Sequence, residues 1–326
     1  MVVDRSGSQS LGSCAVIFDV SMAELREERG ERACILMAEH LIGRGPQCAL
    51  RLTDKNYVSS QHAVIRWSGN SWEAIDRGSR NGTRLDGAPL EPGRAYRLLK
   101  GSVLSFGHPQ ERWALADASE PQVMALALAS GEARFPHCGM IGIPSNESPV
   151  CTIFQDADGL WKFEDADGAL SALHDGQTLE SGGTSYLFSC PTSSDMTAGV
   201  EHAATGAPTL QFLVSSDEDF VELTLEYEQR RVPLGSRGHN YLLLTLARQK
   251  LADLADNVPA ASSGWMDKDQ LAEGLRITPQ LIDGEIFRIR KHFASHGLAE
   301  STTIIERRAR TRQIRLGPDK LRVERR

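Results

Sequence analysis

Three blocks decide how this chain is read: Ile42-Gly43-Arg44, then Val58-Ser59-Ser60-Gln61-His62-Ala63, then Asp76-Arg77-Gly78-Ser79-Arg80-Asn81-Gly82-Thr83. Short runs suited to strands surround them: Ala15–Val20, Ala33–Met37, Ala63–Trp67, Trp72–Asp76 and Val103–Phe106. Gly, Asn and Asp separate these runs. Many short strands broken by turn formers predict an all-β sandwich over residues 12–116.

The residue types in the blocks suit a phosphate. A dianion needs a fixed positive charge and several hydrogen-bond donors, and a guanidinium supplies planar donors that never lose their proton. Taken in order and spacing, the blocks resemble the forkhead-associated (FHA) family, whose pattern is Gly-Arg, then Ser-x-x-His, then Asn-Gly-Thr. An acidic residue often precedes the Gly-Ser of that family, and Asp76 stands close to that place. The resemblance implies that Arg44 and the Ser59 hydroxyl bind the phosphate of a phosphothreonine. Ser60, a shorter donor, stands where family members usually carry Arg or Asn. Arg80 would lie beside the phosphopeptide, and Asn81 would hold its backbone. Gly43, His62, Gly82 and Thr83 are implied as architectural: turn glycines, and a histidine that ties neighbouring loops.

The rest of the composition excludes other classes. With 326 residues, 40% hydrophobic and 24% charged, the chain reads as an ordinary globular protein of two or three domains. No apolar run approaches the roughly 20 residues a membrane span needs, and the segment MVVDRSGSQSLGSC does not resemble a secretory signal. Cys14, Cys34, Cys48, Cys138, Cys151 and Cys190 form no C-x-x-C pair and have no histidine at ligand spacing. A metal site or disulfide framework is therefore not expected, no cofactor is implied, and a reducing cytoplasm fits. Neither G-x-S-x-G, a P-loop, a strand-to-helix G-x-G-x-x-G nor H-E-x-x-H occurs, so the expectation is a protein that is not an enzyme. The run Asp156-Ala157-Asp158-Gly159, with Glu164-Asp165-Ala166-Asp167-Gly168, lacks the closing Glu of a calcium loop and reads as turns.

Charge is unevenly placed. From Thr302 to Arg326 there are nine basic residues against three acidic ones, which leaves 27 basic against 40 acidic elsewhere. A basic end on an acidic body predicts one module that meets a polyanion. Upstream of it, strands are expected at Leu210–Val214 and Val221–Tyr227, then three helices. Ser236 would cap the helix carrying Tyr241, Leu242 and Leu246. Asp267 with Gln270 would open the second, and Thr278-Pro279 the third. Ile282, Ile286, Ile289 and Phe293 make one apolar stripe along that third helix. Thr303–Ile305 and Gln313–Leu316 read as closing strands.

This order resembles the winged helix–turn–helix output domain of OmpR-type response regulators. Ile282-Asp283-Gly284-Glu285-Ile286-Phe287-Arg288-Ile289-Arg290-Lys291 matches its recognition helix, and Ile304-Ile305-Glu306 the entry to its wing. The resemblance implies duplex DNA binding through Arg288, Lys291 and His292 of the helix. In the wing, Arg307, Arg308, Arg310 and Arg312 would contribute, the last three alternating on one strand face. Thr311, Gln313 and Ile314 replace the family's Gly-x-Gly-aromatic wing signature, and Asn257–Trp265 lengthens the first helix connection.

Between these ends, residues 120–190 are β-rich and echo the first domain. Met140-Ile141-Gly142 parallels Leu41-Ile42-Gly43, Trp161–Asp165 parallels Trp72–Asp76, and Asp175-Gly176 parallels Asp86-Gly87. Ile143 takes the place of Arg44, so a degenerate FHA-like domain without a phosphate site is one reading and an unrelated β domain the other. Residues 191–208 read as a linker, with 209–326 as the winged-helix unit. Thr192, Thr197, Thr205 and Thr209 offer phosphorylation sites that Arg44 could capture in cis or trans. The whole predicts a multidomain protein, β then α+β: a transcription regulator that binds a phosphothreonine-bearing partner, a Ser/Thr kinase or its substrate, and DNA. The alternative is a phosphorylation-dependent adaptor whose winged helix contacts protein.

Overall fold

A computed structural model describes residues 21–156, 158–191, 208–227, 230–298 and 300–326. The expected strand Ala15–Val20, Cys14, the opening of the first domain and the linker threonines Thr192, Thr197 and Thr205 lie outside them. The described chain is mostly β-sheet with few helices. Among the described residues no helix is long and apolar enough to cross a membrane.

The first unit contains β1 (Glu24–Glu27), β2 (Ala33–Ile35), β3 (Glu39–Gly43), β4 (Leu50–Arg51), β5 (Ala63–Trp67) and β6 (Trp72–Asp76). It continues with β7 (Thr83–Leu85), β8 (Ala88–Pro89), β9 (Ala95–Leu98), β10 (Val103–Phe106) and β11 (Arg112–Asp117). Two sheets form, in the orders β2-β1-β11-β10-β7-β8 and β4-β3-β5-β6-β9. Alternation explains the sandwich: along Trp72–Asp76 every second side chain is buried. Trp72, Ala74, Ile42 and Ile65 from one sheet meet Leu25, Leu104, Phe106 and Trp113 from the other. The expected strand Ala33–Met37 ends at Ile35; beyond it Leu36 is buried in the sandwich core and Met37 is buried against the middle unit.

The middle unit holds β12 (Met124–Ala127), β13 (Ala133–Arg134), β14 (Met140–Ile143), β15 (Cys151–Gln155), β16 (Trp161–Glu164), β17 (Leu170–Ala172), β18 (Thr178–Ser181) and β19 (Thr184–Ser189). Its sheets run β13-β12-β19-β18 and β14-β15-β16-β17. With β4, β7 and β8 removed, the first unit's sheets have this same order. Register keeps the Trp161 echo, shifts the Met140-Ile141-Gly142 echo by two residues, and takes Asp175-Gly176 off Asp86-Gly87. The Gly176 N–H donates to the Phe188 carbonyl as that of Gly101 donates to Leu115, and the hairpin turn holding Asp86-Gly87 has no counterpart among the described residues of the middle unit. Trp161 pairs with Gln155 as Trp72 pairs with Trp67, and Ile143 pairs with Cys151 as Ile42 pairs with Ala63. On that register Ser145, not Ile143, takes the place of Arg44. The acidic run forms turns: Asp156 accepts from the N–H groups of Asp158 and Leu160, and Asp165 from those of Asp167 and Ala169.

The C-terminal unit begins with β20 (Thr209–Val214), β21 (Val221–Tyr227) and β22 (Arg230–Ser236), followed by α1 (Asn240–Ala255). Then come β23 (Met266–Asp267), α2 (Lys268–Leu275), α3 (Pro279–Ser295), β24 (Ile305–Arg308), β25 (Gln313–Leu316) and β26 (Lys320–Arg325). Thr209 thus opens a strand. Ser236 ends β22 and does not cap α1, whose N-cap is His239; Asn240 instead anchors that end, its amide donating to the carbonyls of Val221 and Gly235. Asp267 does cap α2, accepting the N–H groups of Asp269 and Gln270. Pro279 starts α3 behind Thr278, and Ile282, Ile286, Ile289 and Phe293 are all buried. Thr303 and Ile304 lie in a 3-10 turn, so the hairpin strand starts only at Ile305. The basic end is not a free tail. Lys320–Arg325 pairs in parallel with β20, with Leu321 and Val323 packed on the core.

Buried Lys250 fastens α1 to the hairpin exit, donating to the carbonyls of Leu316, Gly317 and Pro318 and to Asp319. Small contacts join the three units. Met37 of the first packs with Met124 and Leu126 of the middle one. Met140 and Phe154 of the middle unit pack with Phe287 of α3.

Candidate functional site

Three loops of the first sandwich converge. The Arg44 N–H donates to the Ser59 carbonyl at 3.0 Å and the Gly45 N–H to the Ser60 carbonyl at 2.9 Å, zipping the β3–β4 loop to the β4–β5 loop. Gly43 is required by this approach: a Cβ there would lie 2.4 Å from the Ser60 carbonyl oxygen. The Arg44 Nε–H donates to the Val58 carbonyl at 2.5 Å, and its Nη groups make no bond to the described residues. The guanidinium is thus aimed by its own backbone contacts while its outer donors stay free.

His62 ties the loops together from beneath. Fully buried, it accepts the Ser59 N–H on Nδ1 at 3.1 Å. Its proton therefore sits on Nε2 and is donated to the Gly82 carbonyl at 3.2 Å. Burial outweighs the Gly82 carbonyl and the Asp76 charge, and lowers its pKa. This is the architectural role the resemblance implied.

The third loop hangs from Asp76, which is 1% exposed. Its carboxylate accepts the N–H groups of Gly78 and Ser79 and the hydroxyls of Ser79 and Thr83, the latter two at 2.6 Å. Burial pushes the Asp76 pKa up, but these bonds outweigh it and hold it below the ordinary carboxylate value. Gly78 and Gly82 both take φ +74°, which lets the loop double back. The Arg80 N–H donates to Ser59 Oγ at 3.0 Å, so that oxygen is an acceptor there and its own proton remains available to a ligand. Asn81, an exposed residue, donates to the Tyr57 carbonyl at 2.8 Å. Arg44, Ser60, Arg77, Arg80 and Asn81 are exposed and Ser59 half-buried.

Sequence reasoning passed over Tyr57. Its hydroxyl donates to Glu111 at 2.8 Å; buried Glu111 also takes the Trp113 indole N–H and pairs with Lys55. A Cβ at Gly107 would lie 2.3 Å from the Tyr57 carbonyl. Tyr57 is thus fixed from two sides and presents its carbonyl to Asn81. Glu111 lies 54 residues from Tyr57, and no local motif connects them.

The basic residues assigned to DNA divide. Arg288 is exposed on α3 beside Glu285, and Lys291 is half-buried. His292 is withdrawn into an edge-to-face cluster with His239 and His296, ring centroids 5.1 and 4.8 Å away. Burial and then neighbouring charge bring both His292 and His239 down to about 4, so neither offers a cation at neutral pH. Arg307 is buried: it bonds Asp283 of α3 and lies 3.4 Å from Glu164 of the middle unit. Arg308, Arg310 and Arg312 do not alternate along a strand. Arg308 ends β24, whereas Arg310 and Arg312 occupy the hairpin turn with φ +65° and +55°. Arg308 lies over Trp265 at 4.2 Å, with Arg315 on the same ring at 4.7 Å, and Arg312 pairs with exposed Asp269.

Arg290, inside the matched helix segment, is also buried. It donates to both Glu164 oxygens, at 2.6 and 3.2 Å, and to the Ile305 carbonyl at 2.8 Å. Burial would raise the Glu164 pKa, but Arg290 and Arg307 outweigh it and hold it low. Among the described residues no cluster suited to a metal ion occurs.

The FHA domain family profile matches residues 40–107. The FHA domain-containing protein FhaA of Mycobacterium tuberculosis is 32% identical over 87 residues, which are 27% of this chain and 16% of that protein. FhaB of the same species is 37% identical over 78 residues, 24% of this chain and 48% of that protein. The chain thus matches less than half the length of either relative. A solved FHA structure described as part of a study of phosphothreonine-dependent FHA interactions is 29% identical, with a TM-score of 0.27; it covers 31% of this chain and 99% of the other. The structure of Mycobacterium tuberculosis EmbR with a low-affinity phosphopeptide is 23% identical, with a TM-score of 0.28, covering 31% of this chain and 26% of that one. Residues 40–107 of this chain belong to the FHA domain family.

Proposed function

We propose that this chain is a phosphothreonine-dependent transcription regulator rather than an enzyme, with a cytoplasmic phosphoprotein as its partner at one end and duplex DNA at the other. FHA domains bind phosphothreonine peptides. The observation that carries the first half is the Ser59 hydroxyl. Its oxygen is engaged by the Arg80 N–H, its proton is free, and the Arg44 guanidinium is held on the adjoining loop with its Nη donors unspent. Those groups would grip the phosphate, with Ser60 adding a hydroxyl. The Asn81 carboxamide, pinned by Tyr57, would hold the peptide backbone. Arg44→Ala should abolish binding of a phosphothreonine peptide while leaving hydrogen exchange over Trp72–Phe106 unchanged. Equal affinity in wild type and variant would show the site to be wrongly assigned.

Support for the DNA half is the order of sheet, three helices and hairpin, with Arg288, Arg308 and Arg310 exposed on α3 and the hairpin. The middle unit, with the reduced strand order of an FHA sandwich and no arginine at the Arg44 place, would be a spacer that contacts both neighbours. One observation favours the adaptor reading: the α3 face holding Phe287 and Arg290 is already covered by protein. Selection from a randomised duplex pool at low and near-physiological salt separates the two. An enriched motif lost in Arg308→Ala/Arg310→Ala supports DNA binding, and no enrichment with phosphopeptide binding intact supports the adaptor.

A further inference from the structure

The charged contact between the middle and C-terminal units is buried throughout. Side chains of Glu164, Arg290, Arg307, Asp283 and Lys268 are exposed by only 4%, 3%, 6%, 10% and 8%. Arg290 comes from α3 and Arg307 from β24, the two elements on which the proposed DNA reading depends. Glu164, at the end of β16, reaches in between them. We propose that Arg290 and Arg307 form a paired site for a DNA backbone phosphate, and that the Glu164 carboxylate occupies it and keeps the C-terminal unit closed.

Four observations carry this. First, carboxylate and phosphodiester present similar forked acceptors, so a guanidinium pair that seats one can seat the other. Second, the fit to Glu164 is incomplete: Arg290 Nε is buried with no acceptor. Both Nη groups of Arg290 are satisfied, by Glu164 and Ile305, so the Nε–H is a spare donor that an anion seated differently from the Glu164 carboxylate would engage. Third, the cluster carries three cations against two carboxylates, Lys268, Arg290 and Arg307 against Glu164 and Asp283. Withdrawing Glu164 leaves a strongly positive surface.

Fourth, the contact is built to part. Burying ions costs solvation that their attraction barely returns, so such a network adds little net stability. The apolar share is small, with Met140, Phe154 and Phe287 buried and Ala294 beside them. Next to it a cavity of about 530 Å3, lined by Met140, Phe154, Ala294, Leu298 and Ser301 among others, separates the units. A contact between domains that is mostly charged, with so small an apolar share, leaves relative domain motion as the default.

The inference rests on the DNA-binding reading, and the experiment distinguishes the two. Full-length wild type, Glu164→Gln, and Glu164→Gln/Arg290→Gln/Arg307→Gln are titrated with a fluorescent random-sequence duplex across a salt series. Hydrogen exchange over Pro279–Ser295 is followed in parallel. Glu164→Gln should loosen exchange along α3, tighten DNA binding about tenfold, within the usual range of coupling between sites, and steepen the log–log salt slope by about one phosphate contact. The triple variant should return affinity and slope to wild-type values. Tightening that persists in the triple variant would overturn the arginine pair as the phosphate site. Unchanged exchange or unchanged affinity in Glu164→Gln, with wild-type binding still sensitive to Arg308→Ala, would overturn the latch and leave the DNA reading standing. No binding by any form at low salt would sink the DNA reading itself. Wild-type hydrogen-exchange protection along Asn240–Ala255 in every variant shows that the C-terminal unit is folded.

Discussion

Asp76→Asn is the most informative single change in the FHA domain, because it keeps the side chain's shape while removing its charge and turning one acceptor oxygen into a donor. Four donors converge on this carboxylate: two backbone N–H groups and two hydroxyls, all between 2.6 and 3.0 Å. A hydrogen bond to a charged acceptor stabilises by about 1.5–3 kcal/mol against about 1 kcal/mol for a neutral one, so two N–H bonds to the remaining oxygen and two hydroxyls that must turn to accept from the amide lose about 3 kcal/mol together. A neutral amide is less costly to bury, which offsets part of this, leaving a net loss of about 2 kcal/mol. The effect should be local. Gly78 through Thr83 would lose their anchor, and Arg80 and Asn81 would lose their fixed positions with it.

The sign of the pH dependence follows from the lowered pKa. The folded value lies below the ordinary 3.8. The contribution is therefore fully present above that pH and disappears as pH falls through the folded value. Wild type should show an acid-destabilised limb below about pH 4 that the Asn variant lacks in part. Hydrogen exchange of amides over Trp72–Phe106, read at pH 7 and in a descending series, measures both quantities on the intact chain. A loss under about 0.5 kcal/mol at pH 7, or identical acid limbs, would refute the reasoning.

Other expectations follow from particular contacts. Gly43→Ala forces a Cβ to within 2.4 Å of a backbone oxygen; the loops must part, costing about 2 kcal/mol and most of the phosphopeptide affinity, which calorimetric titration would register. For His62 the folded pKa is lowered, so its contribution is present above its ordinary 6.5 and is lost as pH falls. As pH falls below 6.5, phosphopeptide binding should weaken more steeply in wild type than in His62→Gln, beyond the phosphate's own titration. Lys250→Met strands three carbonyls at the hairpin exit and should cost about 3 kcal/mol. Exchange along Asn240–Ala255 and Lys320–Arg325 would rise together in that variant.

Local chemistry made part of this molecule legible. The Asp267 cap and the Pro279 start are written in adjacent residues, and the apolar stripe of α3 is a matter of helical period, so all appear where the sequence puts them. The Gly43–Arg44, Ser59–His62 and Asn81–Thr83 blocks were readable because each lies in one turn. What could not be read depends on partners distant in sequence. Arg307 looks like a wing cation until Glu164, 143 residues earlier, is brought against it. Arg310 and Arg312 fail to alternate because the hairpin turn takes them, which needs the pairing of β24 with β25 to be known. Lys320–Arg325 carries the charge of a tail, yet Leu321 and Val323 alternate on one face, and only the exposed edge of β20 reveals why they pair.

The packing places the three units in series, and this bears on how a phosphopeptide could be felt by DNA. The β3–β4 loop that begins with Arg44 ends at Ala49, which packs with Met37 against Met124 and Leu126 of the middle unit. From there the middle sandwich leads to Glu164 and so to α3. Adjacency of this kind is not coupling, since a contact transmits nothing unless it has two states that a ligand tells apart. The Glu164 contact supplies such states. Phosphopeptide therefore controls DNA only if it binds the open form more tightly than the closed one. That is testable with no DNA present: Glu164→Gln, which favours the open form, must then raise phosphopeptide affinity above the wild-type value. Unchanged phosphopeptide affinity would mean that the FHA domain recruits the protein to its partner and leaves the latch to the DNA itself.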